Sequence, residues 1–116
     1  MKAILIDAKN KTISEVNVSE TDTLKDWYRL IKCDLAESVL TLNDENDTLL
    51  VDEEGLLDID NNKGFFLYEG ARQTFIGNGL ITGVDPEEGE SVSCKITLEE
   101  VIKNVRFIDY FEIINN

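Results

Sequence analysis

The chain has 116 residues and a net charge of −13, from 24 acidic against 11 basic side chains. With 42% hydrophobic residues it carries too much apolar material to stay disordered, and its length suits one domain, 1–116, burying about two thirds of its unfolded surface. Repulsion disfavours direct binding to nucleic acid or to an anionic membrane, which leaves basic protein surfaces and cations as natural counterparts.

The chain opens on Lys2-Ala-Ile-Leu-Ile-Asp7, an apolar run too short for a helix and continuous enough for a strand buried on both faces. Ala8 to Lys11 turns it, and the β-branched stretch Thr12 to Val18 completes a hairpin. Leu24, Trp27, Tyr28 and Ile31 then recur at helical spacing, with Thr21 or Thr23 as N-cap, predicting a first helix from about Thr23 to Lys32. Strands follow at Ser38 to Leu42 and Leu49 to Asp52, joined by the turn-forming Asn43 to Asp47, and another at Gly64 to Glu69. Thr74 to Val84 holds one or two more, broken at Gly77-Asn78-Gly79, before the polar loop Asp85 to Gly89. Thr97 and Glu100 spell a capping box ahead of Leu98, Val101, Ile102 and Val105, which predicts a second helix; a last strand fits Arg106 to Ile114. Strands outnumber helices with no regular βαβ alternation, so the expected class is α+β: a mainly antiparallel sheet with two short amphipathic helices packed on it.

Histidine is absent, which removes the commonest general base and the Ser-His and Cys-His nucleophile pairs. Carboxylate pairs remain, but with 24 acids in the chain chance proximity explains them, and we expect no enzymatic activity. Cys33 and Cys94 belong to no C-x-x-C pair and read as free thiols. Asp58-x-Asp60-x-Asn62 followed by Glu69 imitates a calcium loop, yet Lys63 stands where the sharp turn needs glycine, so the expectation is an Asx-rich turn with no metal and no cofactor. Gly77, Asn78, Gly79 and Gly83 could cradle a phosphate, with Arg72 or Lys95 as counter-charge, but no Walker lysine accompanies them and a hairpin turn is the plainer reading. No apolar run is long enough to span a bilayer and the start lacks a signal-peptide pattern, so a cytoplasmic location is expected.

Charge is distributed in long unmixed intervals. Between Lys32 and Lys63 there is no basic residue and ten acids, among them Asp44, Glu45, Asp47, Asp52, Glu53, Glu54, Asp58 and Asp60. A second interval, Arg72 to Lys95, carries Asp85, Glu87, Glu88 and Glu90. Carboxylates on one strand face recur every ~6.6 Å, close to phosphate spacing along a nucleic-acid strand, so such a surface can occupy a groove built for nucleic acid. Surface design for solubility alone would intersperse the two signs, and the plainer reading of the same runs is a solvated acidic face. The apolar last strand, with Phe107, Ile108, Tyr110, Phe111, Ile113 and Ile114, must be interior, covered, or paired with a second copy in a homodimer.

Val51-Asp-Glu-Glu-Gly55, Gly77-Asn-Gly-Leu-Ile-x-Gly83-x-Asp85 and the Thr97-Leu-Glu-Glu100 helix start resemble small uncharacterised proteins of phages and plasmids, catalogued as domain of unknown function family 3846. The resemblance runs from Met1 to about Phe107 and brings no catalytic residue with it. It implies a context: accessory proteins of mobile elements that interfere with host defence, some by acidic mimicry of nucleic acid, others by sequestering a nucleotide signal. The expected function is therefore a non-enzymatic acidic inhibitor, of anti-CRISPR or anti-restriction type, that binds the basic surface of a host protein in the host cytoplasm. The alternative is a module that captures a nucleotide messenger with the Gly77 to Gly83 loop, and a third reading is an assembly or regulatory adaptor.

Overall fold

In the computed structural model, which describes residues 1–43, 46–54 and 63–109, the chain folds as α+β with nine strands and two helices among those residues. β1 (Lys2–Asp7) and β2 (Thr12–Asn17) form the hairpin expected from the opening residues, in the register Lys2 to Asn17 through Asp7 to Thr12. α1 (Thr23–Ile31) follows, then β3 (Ala36–Leu42) and β4 (Asp47–Asp52), which pair antiparallel across a bulge between Ser38 and Leu40. β5 (Phe65–Tyr68), β6 (Phe75–Ile76), β7 (Gly79–Val84), β8 (Ser91–Val92), α2 (Leu98–Asn104) and β9 (Val105–Ile108) complete the order.

The larger sheet runs β2-β1-β7-β4-β3, all antiparallel, with β8 added beside the end of β7; the smaller runs β6-β5-β9. Side-chain alternation splits the larger sheet's interior between two cores. Ile4, Ile6, Leu49, Val51 and Ile81 face the smaller sheet and α2, where Phe66, Phe75 and Val101 meet them. Ala3, Leu50 and Leu80 face the other way, under Ile31 and Trp27 of α1. The central strands are thus covered on both faces, which is why β1 and β7 read as continuous apolar runs rather than as alternation.

Boundaries differ from the sequence reading: β3 begins at Ala36 instead of Ser38, and β4 at Asp47 instead of Leu49. α1 is capped at Asp22, with no side-chain hydrogen bond, rather than at Thr21 or Thr23; the Ser19 hydroxyl instead receives the Thr21 and Asp22 amides. β8 is a strand that no pattern announced, since its two residues are ordered by pairing with Gly83 and Val84. The last strand begins at Val105 and, among the described residues, runs to Ile108; the part of its predicted extent at residues 110–116 lies outside the described residues. Of the apolar side chains singled out there, Ile108 is buried and Phe107 packs on the main core, while Tyr110, Phe111, Ile113 and Ile114 lie outside the described residues. At α2 the Thr97 hydroxyl accepts from the Glu100 amide, as the capping pattern predicts. No helix among the described residues is long and apolar enough to cross a membrane.

Candidate ligand cleft

Three backbone segments converge beneath the C-terminal end of α1. Gly64 sits at φ 75 with its α-carbon pressed on the β1–β2 turn, so close that a Cβ would lie 2.4 Å from the Ala8 carbonyl carbon. Its own carbonyl accepts from the Gly77 amide at 2.9 Å, which ties in the short connector Gly77-Asn78 by which the chain crosses from the smaller sheet to the larger. Asn78 is buried, and its amide nitrogen donates to the Leu30 carbonyl at 3.0 Å, fastening that connector to α1. α1 itself ends at Lys32, which adopts the left-handed conformation at φ 64 and returns its amide to the Tyr28 carbonyl, a glycine-type cap made by a lysine.

The cleft that results has two adjoining parts sharing Lys32, Asp52 and Lys63. The inner part, about 200 Å³, is bounded by Lys9, Lys32 and Lys63 with Gly77, Asn78 and Ile31. The outer part, about 480 Å³, is lined by Tyr28, Arg29, Cys33, Asp34 and Glu54. Three lysines against one aspartate line the inner part, in a protein whose net charge is −13. The outer part mixes both signs, and its Arg29 is shared with Asp26 at 3.4 Å. Lys32 also reaches Asp7: burial opposes ionisation there, but donation from the Asn10 side chain and amide, together with the Lys32 charge, holds the carboxyl below its ordinary value.

The surroundings of Cys33 favour its neutral thiol. Burial first, then the Asp52 and Asp34 carboxylates, push its thiol up to about 11, and burial raises Cys94 as well. At pH 8 native Cys33 should alkylate about a hundredfold more slowly than in the denatured chain, its rate climbing about tenfold per pH unit up to that value, and native Cys94 should be slowed as well. Equal rates in native and denatured protein, followed by mass spectrometry, would contradict this picture of the site.

The residues singled out by sequence divide sharply. Gly77 and Asn78 line the inner cleft. Gly79 and Gly83 do not belong to a phosphate loop: both are buried in β7, glycine at the first because the Phe66 ring lies over it and at the second because the Ser93 carbonyl does. The counter-charges are Lys9, Lys32 and Lys63 rather than Arg72 or Lys95. Of the acidic surface, Asp47 is wholly buried and is removed from it: its carboxylate accepts from the Lys95 and Ile96 amides and from Asn43. Asp52 is half-buried in the cleft and caps the Glu54 amide, leaving Glu53 and Glu54 exposed. Asp44, Glu45, Asp58 and Asp60, with the calcium-like pattern at Asp58 to Asn62, lie outside the described residues. Among the described residues no cluster of three His, Cys, Asp or Glu side chains could hold a metal ion.

The lysines carry no sequence signal of their own. The only hint was that Lys32 and Lys63 bound the basic-free interval, and the fold brings those two ends together. No curated protein and no solved structure matches the chain. A family model does match, over residues 1–107, and the chain belongs to the family it describes, Domain of unknown function (DUF3846).

Proposed function

We propose that the protein is a non-catalytic module that captures a phosphate-bearing small molecule of the nucleotide class. The observation that carries this reading is the meeting of Lys9, Lys32 and Lys63 around the inner cleft. An ammonium group in a partly desolvated recess binds phosphate well as a point charge. The outer part supplies what the rest of a nucleotide needs: a Tyr28 ring for stacking, and the Asp34 and Glu54 carboxylates as acceptors for ribose hydroxyls or base amino groups. Its 480 Å³ fits the usual range of ligand pockets. Without histidine, and with Cys33 held as the neutral thiol, the site is equipped to hold a ligand and not to turn it over.

Calorimetric titration with mono-, di- and cyclic nucleotides, with inorganic phosphate and with an unphosphorylated nucleoside tests this. A nucleotide should bind and be recovered unchanged by chromatography, the nucleoside should not bind, and Lys9→Glu with Lys32→Glu should weaken binding by at least about tenfold. Binding that ignores both reversals, or a nucleoside that binds as well as its phosphate, rejects the reading.

Nucleic-acid mimicry directed at a host restriction or CRISPR effector stands second. It draws on Glu37, Glu53 and Glu54, exposed at the open end of the β3–β4 pair where the Glu53 amide meets the Leu35 carbonyl. Lysine at Asp52, Glu53 and Glu54 together should then abolish inhibition while the fold survives; unchanged inhibition ends this reading.

A further inference from the structure

On the opposite flank of α1 lies an open groove of about 680 Å³, between the start of the helix and the turn that leads into β8. Leu24, Trp27 and Val92 form its apolar part, interleaved with Met1, Thr23, Ser91 and Ser93, and its rim carries Glu20 on one side and Glu90 on the other. No lysine or arginine lines it among the described residues. The two glutamates are 70 positions apart in sequence, and Glu87 and Glu88 stand exposed in the same turn as Glu90.

The helix stripe read from the sequence explains why the groove is unfilled. Ile31 is buried in the core under α1, whereas Leu24, the first member of the stripe, is 58% exposed: the apolar face runs on past the sheet it packs against. Trp27 spans the junction. Its indole N–H is buried with no acceptor among the described residues, so packing holds the ring.

We infer that this groove docks a basic amphipathic segment of a partner protein, seating an apolar side chain against Leu24 and Trp27 and cations against Glu20 and Glu90. Charge decides between occupants. A phosphate-bearing ligand would face two carboxylates against one ammonium, that of Met1, which already donates to the Val18 carbonyl, and a second copy of this chain would bring another surface of net charge −13 to an acidic rim. A lysine-bearing segment meets both the apolar part and the rim, the pairing by which amphipathic helices enter grooves. The inference is independent of the lysine cleft, which opens on the other flank of the helix.

Trp27 is the chain's only tryptophan, so its fluorescence reports the groove directly. The probe is a synthetic helix-forming peptide of lysine, alanine and leucine with the leucines on one face; its counterpart with glutamate for lysine is the control. We expect a saturable change in Trp27 emission with the basic peptide only, weakening as salt rises. Leu24→Ser, which removes the exposed anchor, and the double change Glu20→Lys with Glu90→Lys should each raise the dissociation constant about tenfold. The same charge change placed at Glu37 and Glu53 should leave it within about twofold, because exposed charges beyond a Debye length contribute little. No saturable change overturns the inference, and so does equal weakening by the Glu37 and Glu53 pair, which would mean attraction to net charge alone. Sedimentation that reveals a dimer disrupted by Leu24→Ser would give the groove to a second copy and overturn it equally.

Discussion

Replacing Asp47 with alanine is expected to lower the melting temperature by about 12 °C, corresponding to about 3 kcal/mol of stability. The carboxylate is fully buried and takes the Lys95 amide at 2.9 and 3.1 Å, the Ile96 amide at 2.8 Å and the Asn43 side-chain amide at 2.7 Å. Two of these donors belong to the connector that enters α2, so one side chain at the first residue of β4 fixes both the Asn43 turn and the approach to the second helix. Alanine leaves three donors without their acceptor, the Ile96 amide in the interior and the Lys95 amide and Asn43 side chain partly buried, each costing about 1 kcal/mol. Asparagine keeps one oxygen but turns an NH2 group toward backbone N–H donors, so it should recover about a third of the loss at most. Thermal melts followed by circular dichroism measure this; an alanine variant melting within about 2 °C of the parent would mean that the carboxylate holds nothing together.

Asp47 also marks where reading by sequence stops. Local composition does not set Asp47 apart from the acids Asp44 and Glu45 beside it in the sequence, because its backbone partners are the amides of residues 95 and 96. Local signals did well where local physics decides. The continuous apolar run of β1, the Thr97 cap of α2 and the break at Gly77 are each visible in a few consecutive residues, and each is found in the fold. Distant pairing decides the rest. β8 exists because Gly83 and Val84 lie beside it, and Gly83 is glycine because the Ser93 carbonyl comes within 2.3 Å of where a Cβ would be. The candidate cleft belongs to this second class. Lys9, Lys32 and Lys63 lie in a turn, a helix cap and a connector, three settings in which a lone lysine is unremarked. Counting charges along the chain directs attention to the acids between Lys32 and Lys63, while the fold gives the two flanking cations a common recess.

The contact that creates that recess should be among the least tolerant in the molecule. In Gly64→Ala the new methyl would fall 2.4 Å from the Ala8 carbonyl carbon, 2.5 Å from its oxygen and 2.6 Å from the Lys9 nitrogen. All three are backbone atoms of a hydrogen-bonded hairpin turn and cannot rotate aside as a side-chain end would. The residue also sits at φ 75, which costs a non-glycine residue about 1 kcal/mol by itself. Relief requires the β1–β2 turn and the Gly64 strand to part, and overpacking of this kind typically costs a further 1–3 kcal/mol, so the variant should lose about 3 kcal/mol and melt about 12 °C lower. Gly70→Ala is the matched control: φ is 91 there, yet nothing lies within 4 Å of the added Cβ, so it should show the backbone cost of about 1 kcal/mol alone. Because the separation moves Lys9 away from Lys63, the Gly64 variant should also bind nucleotide at least about tenfold more weakly at a temperature where it remains folded, and the Gly70 variant should bind as the parent does. Equal melting temperatures for the two variants would show that the Ala8 contact yields without cost, and the cleft would then need another cause for its shape.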